Sequence, residues 1–125
     1  MIKKINTTEA PAAIGPYSQA IVCGNIVYTS GQIPIVPSTG NIVEGGITEQ
    51  TEQIMKNLQA ILKEAGSGFD KIVKTTCFIA DMADFAPFNE VYSTYITNGP
   101  ARSCVAVKAL PKNVLAEVEV IAVIE

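Results

Sequence analysis

The stretch Leu115-Ala116-Glu117-Val118-Glu119-Val120-Ile121-Ala122-Val123-Ile124 reads as a strand, and its second half decides the architecture. Residues 120–124 are apolar at both parities. A strand with one wet face alternates apolar and polar residues, so this one calls for burial on both faces. Only two helices are readable elsewhere, and two helices cover one face of a sheet. The other face needs a partner, and an oligomer whose sheets pack together is the simplest one.

Outward from that strand, the remaining elements follow from local pattern. Residues 103–109 form a strand and residues 110–114 a turn. The clearest helix is Ile47–Ala65, where Ile47, Thr51, Ile54, Leu58, Ile61, Leu62 and Ala65 recur at helical spacing. Thr48 is its expected N-cap, Glu49 and Glu52 suit its first turns, and Gly66 stops it. A second helix is expected from a cap at Asp84 to about Ile96, with Pro87 in its first turn and Phe88, Val91, Tyr92 and Tyr95 facing inward. Residues 71–80 are rich in β-branched side chains and read as a strand. Residues 2–6, 17–23 and 26–30 are further strands, the last two joined by a Gly24-Asn25 turn. Residues 7–16 and 34–46 are connections rich in proline and glycine. The order is β-β-β-α-β-α-β-β in one domain spanning residues 1–125, an α+β fold with one mixed sheet.

Composition narrows the function classes. Hydrophobic residues are 48% of the chain and charged residues only 17%, which is low for a small domain with much surface per volume. This again favours a surface covered by other subunits. The net charge of −3 and the pI of about 4.9 leave no basic stripe for phosphates, so nucleic acid is not expected as a partner. No apolar run has membrane-spanning length, and the start turns polar at once, so a cytoplasmic location is expected. The chain has no His, which removes Ser-His-Asp and Cys-His catalysis and the commonest zinc ligand. Cys23, Cys77 and Cys104 are widely spaced, form no CxxC pair, and read as reduced thiols.

Few side chains remain that could carry chemistry. Arg102 is the sole arginine and opens an otherwise apolar strand. Its fork suits a carboxylate held by two parallel hydrogen bonds, or an acidic residue in a structural tie between strands or subunits. Glu117 and Glu119 interrupt the last strand on the face of Ile121 and Val123. A partly buried carboxylate there can pass protons near neutral pH; the residues alone favour the plainer reading, an exposed strand end or an ion pair with lysine. Cys104 shares a strand face with Arg102, as a reactive thiolate or as an inert core residue. Tyr17, Ser30 and Asn89 are ordinary polar residues in their local contexts.

Four blocks carry a resemblance. Gly15-Pro16-Tyr17-Ser18-Gln19-Ala20, Thr29-Ser30-Gly31-Gln32-Ile33-Pro34, Phe88-Asn89-Glu90-Val91-Tyr92, and Pro100-Ala101-Arg102-Ser103-Cys104-Val105 through Val118-Glu119-Val120 are co-linear along nearly the whole chain. Together they resemble the RidA family, the reactive-intermediate enamine/imine deaminases. The resemblance implies a chorismate-mutase-like sandwich and a homotrimer whose sheets build a central barrel, with clefts between subunits. It implies hydrolysis of 2-aminoacrylate, 2-iminopropanoate and 2-iminobutanoate to 2-keto acids and ammonia, without metal or organic cofactor. Arg102 would then clamp the substrate carboxylate and Glu117 would position or activate water. Tyr17, Ser30, Gly31, Asn89 and Cys104 would line the pocket, partly from a neighbouring subunit, Cys104 mainly through its backbone. The choice of Glu117 over Glu119 rests on spacing from Arg102 alone, and Glu119 stays open as the working carboxylate. A non-catalytic trimer, binding a ligand or acting as a regulator or chaperone, is the competing reading. A ribonuclease role, also attached to this family, fits poorly with an acidic chain that lacks His.

Overall fold

A computed structural model describes residues 1–124; Glu125, inside the span expected of the domain, lies outside the described residues. Eight elements follow in the expected order: β1 (Ile2–Ile5), β2 (Ala20–Cys23), β3 (Ile26–Thr29), α1 (Ile47–Ala65), β4 (Ile72–Ile79), α2 (Phe85–Tyr95), β5 (Ala101–Ala106) and β6 (Ala116–Val123). The strands form one mixed sheet in the order β1-β2-β3-β6-β4-β5. Only β4 and β5 run parallel, which is why their connection is a crossover through α2. The last strand lies in the middle of the sheet, antiparallel to both β3 and β4.

Strand β6 separates the two faces cleanly. Ala116, Val118, Val120 and Ala122 are buried under the helices, whereas Glu117, Ile121 and Val123 are half-buried and Glu119 is exposed. The second apolar parity noted in the sequence is therefore real, and among the described residues neither helix covers it. Tyr28 stands opposite Ile121 on that bare face at 45% exposure, and Val105, opposite Phe78, is 47% exposed. Under the helices, Ile54, Leu58, Ile61 and Leu62 of α1 pack with Phe88 of α2 and with Val27, Cys77 and Ile79 from the sheet.

Local chemistry moved some boundaries. Helix α1 is capped at Gly46, not at Thr48, because the Glu49 carboxylate accepts from the Gly46 N–H at 2.9 Å. Asp84 occupies the N-cap of α2 without a side-chain bond, and Asp81 instead accepts from Ala83 N–H one turn earlier. Strand β2 begins at Ala20 where residue 17 was expected, since residues 15–19 form a loop. Strand β5 runs from Ala101 to Ala106, earlier at both ends than expected. In the β2–β3 turn Gly24 takes φ 62°, which glycine adopts without strain.

Candidate functional site

The N-terminal loop is held by one buried amide. Gln19, 1% exposed, accepts from Thr7 N–H at 2.7 Å and donates to the carbonyls of Thr7, Ala10 and Pro11. After β3 the chain turns back onto β6. Ser30 N–H donates to Gln19 O, the Ser30 hydroxyl donates to Ser18 O, and Gln32 exchanges both backbone bonds with Val118. This last pairing lays Gly31 directly against Glu117. A Cβ at Gly31 would collide with the Glu117 carboxylate and would lie 2.9 Å from its Cδ, so glycine is what lets the acid lie flat on the backbone.

These segments enclose an open cleft of about 740 Å³. Tyr17, Ser30, Gly31, Glu117 and Glu119 line it, with apolar walls from Pro11, Ile14, Ile33, Ile35 and Pro111. Burial pushes the Glu117 carboxyl above its ordinary value, and the neighbouring Glu119 charge adds to the shift. A carboxyl in this state suits proton transfer, because its affinity for protons moves toward neutral pH.

The other expected residues assemble elsewhere. Strand β5 pairs Arg102 with Thr75 and Cys104 with Cys77, and Thr75 and Cys77 both point under the helices. Arg102 therefore reaches toward α2. Its Nη1 donates to Asn89 Oδ1 at 2.6 Å, and its guanidinium carbon lies 4.8 Å from the Tyr92 ring centre and 5.5 Å from that of Phe85. Arg102 itself is exposed, and the amide partner leaves its charge unneutralised. Burial pushes the Cys104 thiol up, against the opposing pull of Arg102, and burial pushes Cys77 up to about 12. Both sulfurs are thus held as thiols, and the thiolate reading of Cys104 loses its basis.

The chain thus brings together two half-sets. Tyr17, Ser30, Gly31 and Glu117 share the cleft, while Arg102, Asn89 and Cys104 share the edge beneath α2. Arg102 and Glu117 sit on opposite faces of the sheet. Sequence reasoning missed Gln19, whose role depends on contacts with residues 8 to 12 positions away. It also missed Lys112, read only as part of a turn, which lines the cleft with φ 56°. The register of Phe85, Asn89 and Tyr92, at i, i+4 and i+7, was a readable signal that one stripe of α2 faces Arg102. Among the described residues no group of three or more Cys, Asp or Glu is arranged to hold a metal ion, and no helix is long and apolar enough to cross a membrane.

Comparison with known proteins places this geometry. Residues 7–124 match the family described as Endoribonuclease L-PSP. A Lactococcus lactis protein named as the candidate regulator AldR is 55% identical over 97% of each chain. The mouse protein named 2-iminobutanoate/2-iminopropanoate deaminase is 51% identical, over 97% of this chain and 90% of its own length. The crystal structure of Escherichia coli TdcF with bound serine superposes with a TM-score of 0.93 at 45% identity, covering 98% of this chain and 99% of that one.

Proposed function

This chain belongs to the Endoribonuclease L-PSP family, the Rid family that its motifs resemble, and on that premise we propose that it is a deaminase of 2-imino acids. It hydrolyses 2-iminopropanoate and 2-iminobutanoate, with their enamine tautomers, to 2-keto acids and ammonia. The observation that carries this reading is Glu117. It is a half-buried carboxyl with raised proton affinity, set in an apolar-walled cleft. It stands in a chain about half identical, end to end, to a protein named for this activity.

The working unit in this reading is a homotrimer in the cytoplasm. The exposed Tyr28 and Val105 on the bare sheet face support assembly. So does the separation of the two half-sets, since a second copy laid across the sheet edge can bring Arg102 of one chain to Glu117 of another. Arg102 then grips the substrate carboxylate and fixes the reacting carbon. After tautomerisation of the enamine, water adds to the C=N carbon, with Glu117 taking a proton from it. Glu117 passes that proton to the imine nitrogen, giving the carbinolamine. The same carboxyl then carries the carbinolamine hydroxyl proton to nitrogen as the C–N bond breaks, the C=O bond forms and ammonia leaves. Tyr17, Ser30 and Gly31 shape the Glu117 side of the cleft; Asn89 and the Cys104 backbone shape the Arg102 side. Side chains and water suffice for this route.

A regulatory reading is favoured by the name of the Lactococcus relative. A binding-only protein needs Arg102 and has no use for a carboxyl such as Glu117. A ribonuclease reading, despite the family's description, gains nothing from a chain of net charge −3 without His. The decisive test is a coupled assay in which a threonine or serine dehydratase releases the enamine in the presence of semicarbazide. A deaminase speeds keto-acid release at the expense of trapped imine; a binder leaves the partition unchanged.

A further inference from the structure

Arg102 is not simply exposed at the sheet edge; it is laid on a prepared surface. Phe85, Asn89 and Tyr92 form one stripe of α2 at i, i+4 and i+7, and each touches the guanidinium. The Tyr92 ring is the nearer of the two aromatic faces, and its angle is set from below. Its hydroxyl shares a 2.8 Å hydrogen bond with the Thr75 hydroxyl, and Thr75 is fully buried in β4, directly across the ladder from Arg102. The chain of contacts Thr75–Tyr92–Arg102–Asn89 thus runs from the core to the sheet edge.

We propose that Tyr92 and Phe85 are positioning residues that hold the Arg102 guanidinium ready for a carboxylate. The proposal rests on the reading of Arg102 as the substrate clamp. Long side chains at an exposed strand edge sample many rotamers, and binding a ligand with one of them costs the entropy of fixing it. Two π faces attract the cation without consuming its N–H donors. Asn89 takes one Nη1 hydrogen, and the remaining donors of the fork stay available for two parallel bonds to a ligand. A lysine at position 102 would keep the charge but would not offer a planar cation to these faces.

The sole arginine makes the test direct, because its Nε–H gives a single resonance in protein labelled with 15N-arginine. In the wild type that signal should carry a ring-current shift and a high heteronuclear NOE. Tyr92→Leu should move it toward the free-arginine position, lower the NOE, and weaken pyruvate binding about 5- to 30-fold. Tyr92→Phe, which keeps the ring but loses the Thr75 hydrogen bond, should retain most of the shift, order and binding that Tyr92→Leu loses. Phe85→Leu should give a smaller change of the same sign and covers the case in which Tyr92→Leu fails to fold. In an Arg102→Ala background Tyr92→Leu should cause no further loss of kcat/KM. An unmoved arginine signal with unchanged pyruvate binding in folded Tyr92→Leu or Phe85→Leu overturns the proposal and leaves the clamp standing. Pyruvate binding that survives Arg102→Ala overturns the clamp instead, while the arginine signal still reports on the aromatic faces.

Discussion

Arg102 and Glu117 belong to neighbouring regions of one sheet but point away from each other: Arg102 pairs with Thr75 on the helix side, and Glu117 pairs with Phe78 on the bare side. A reaction that uses both groups at one substrate is therefore expected to draw them from different chains. This can be tested by mixing. Arg102→Ala and Glu117→Gln chains, each inactive alone, should regain turnover when unfolded together and refolded into the proposed trimers. With random assembly, about a quarter of the intersubunit sites would combine an intact Arg102 with an intact Glu117. If both groups served one site within a single chain, no mixed trimer would hold an intact site and turnover would stay at the level of the separate variants.

Arg102→Ala and Arg102→Lys should both lower kcat/KM by at least about a hundredfold, near 2.7 kcal/mol. Lysine keeps the charge and loses the two-point grip. Calorimetric binding of pyruvate should vanish in Arg102→Ala and persist in Glu117→Gln, whose turnover nonetheless collapses. The reverse pattern, with Glu119→Gln inactive and Glu117→Gln active, would move the working carboxyl to Glu119.

Cys104→Ala and Cys104→Ser should keep substantial turnover. The thiol is held protonated by burial and the hydrolysis forms no bond to sulfur. Iodoacetamide at neutral pH should label exposed Cys23 well before Cys104 or Cys77. Complete loss of turnover in a folded Cys104→Ala variant would return the sulfur to the mechanism.

How far the sequence reached can be seen in particular residues. The parity of residues 120–124 foretold the bare sheet face because burial and strand alternation are local properties of a sequence. The α1 stripe was legible for the same reason, apart from Met55 and the buried amides Gln50 and Asn57. Gln50 accepts from Leu115 N–H and Asn57 donates to the carbonyls of Ile33 and Ile35, and those partners lie 65, 24 and 22 residues away. The role of such residues is set by the loops they hold. The candidate site residues were chosen by motif, and that choice did not show their division between two faces. That division follows from the register of β4 with β5 and β6, in which a one-residue slip would exchange the faces.

The pH behaviour has a definite sign. Folding raises the Glu117 pKa, chiefly by burial, so the folded chain holds this proton more tightly than the unfolded chain. The group is accommodated without penalty at low pH. The penalty enters as pH rises past the ordinary carboxylate value and is complete above the raised folded value. Glu117→Gln should therefore melt at a higher Tm than wild type at neutral pH, with the gap closing by about pH 4. Turnover that needs the carboxylate should rise with pH along a limb displaced above the ordinary carboxylate range. Glu119→Gln, which removes the like charge, should shift that limb to lower pH. A limb that ignores Glu119→Gln would detach it from Glu117.

Gly31 offers the sharpest test of the geometry around the acid. Its backbone carries no positive φ that would bar another residue, so Gly31→Ala is a question of space alone. The added methyl would meet the Glu117 carboxyl group and its Cγ, at 3.2 Å, before any other atom. The flexible acid can swing aside, so the fold should survive with a Tm close to wild type. The displaced carboxyl would no longer reach the water it is meant to deprotonate, and small displacements of a general base cost turnover steeply. We expect kcat to fall by roughly tenfold or more, with pyruvate binding through Arg102 largely kept. The limb assigned to Glu117 should also move toward the ordinary carboxylate range, since the swung-out group regains water. Gly31→Ala with normal kcat and an unshifted limb would show that turnover does not depend on the Glu117 carboxyl lying against Gly31.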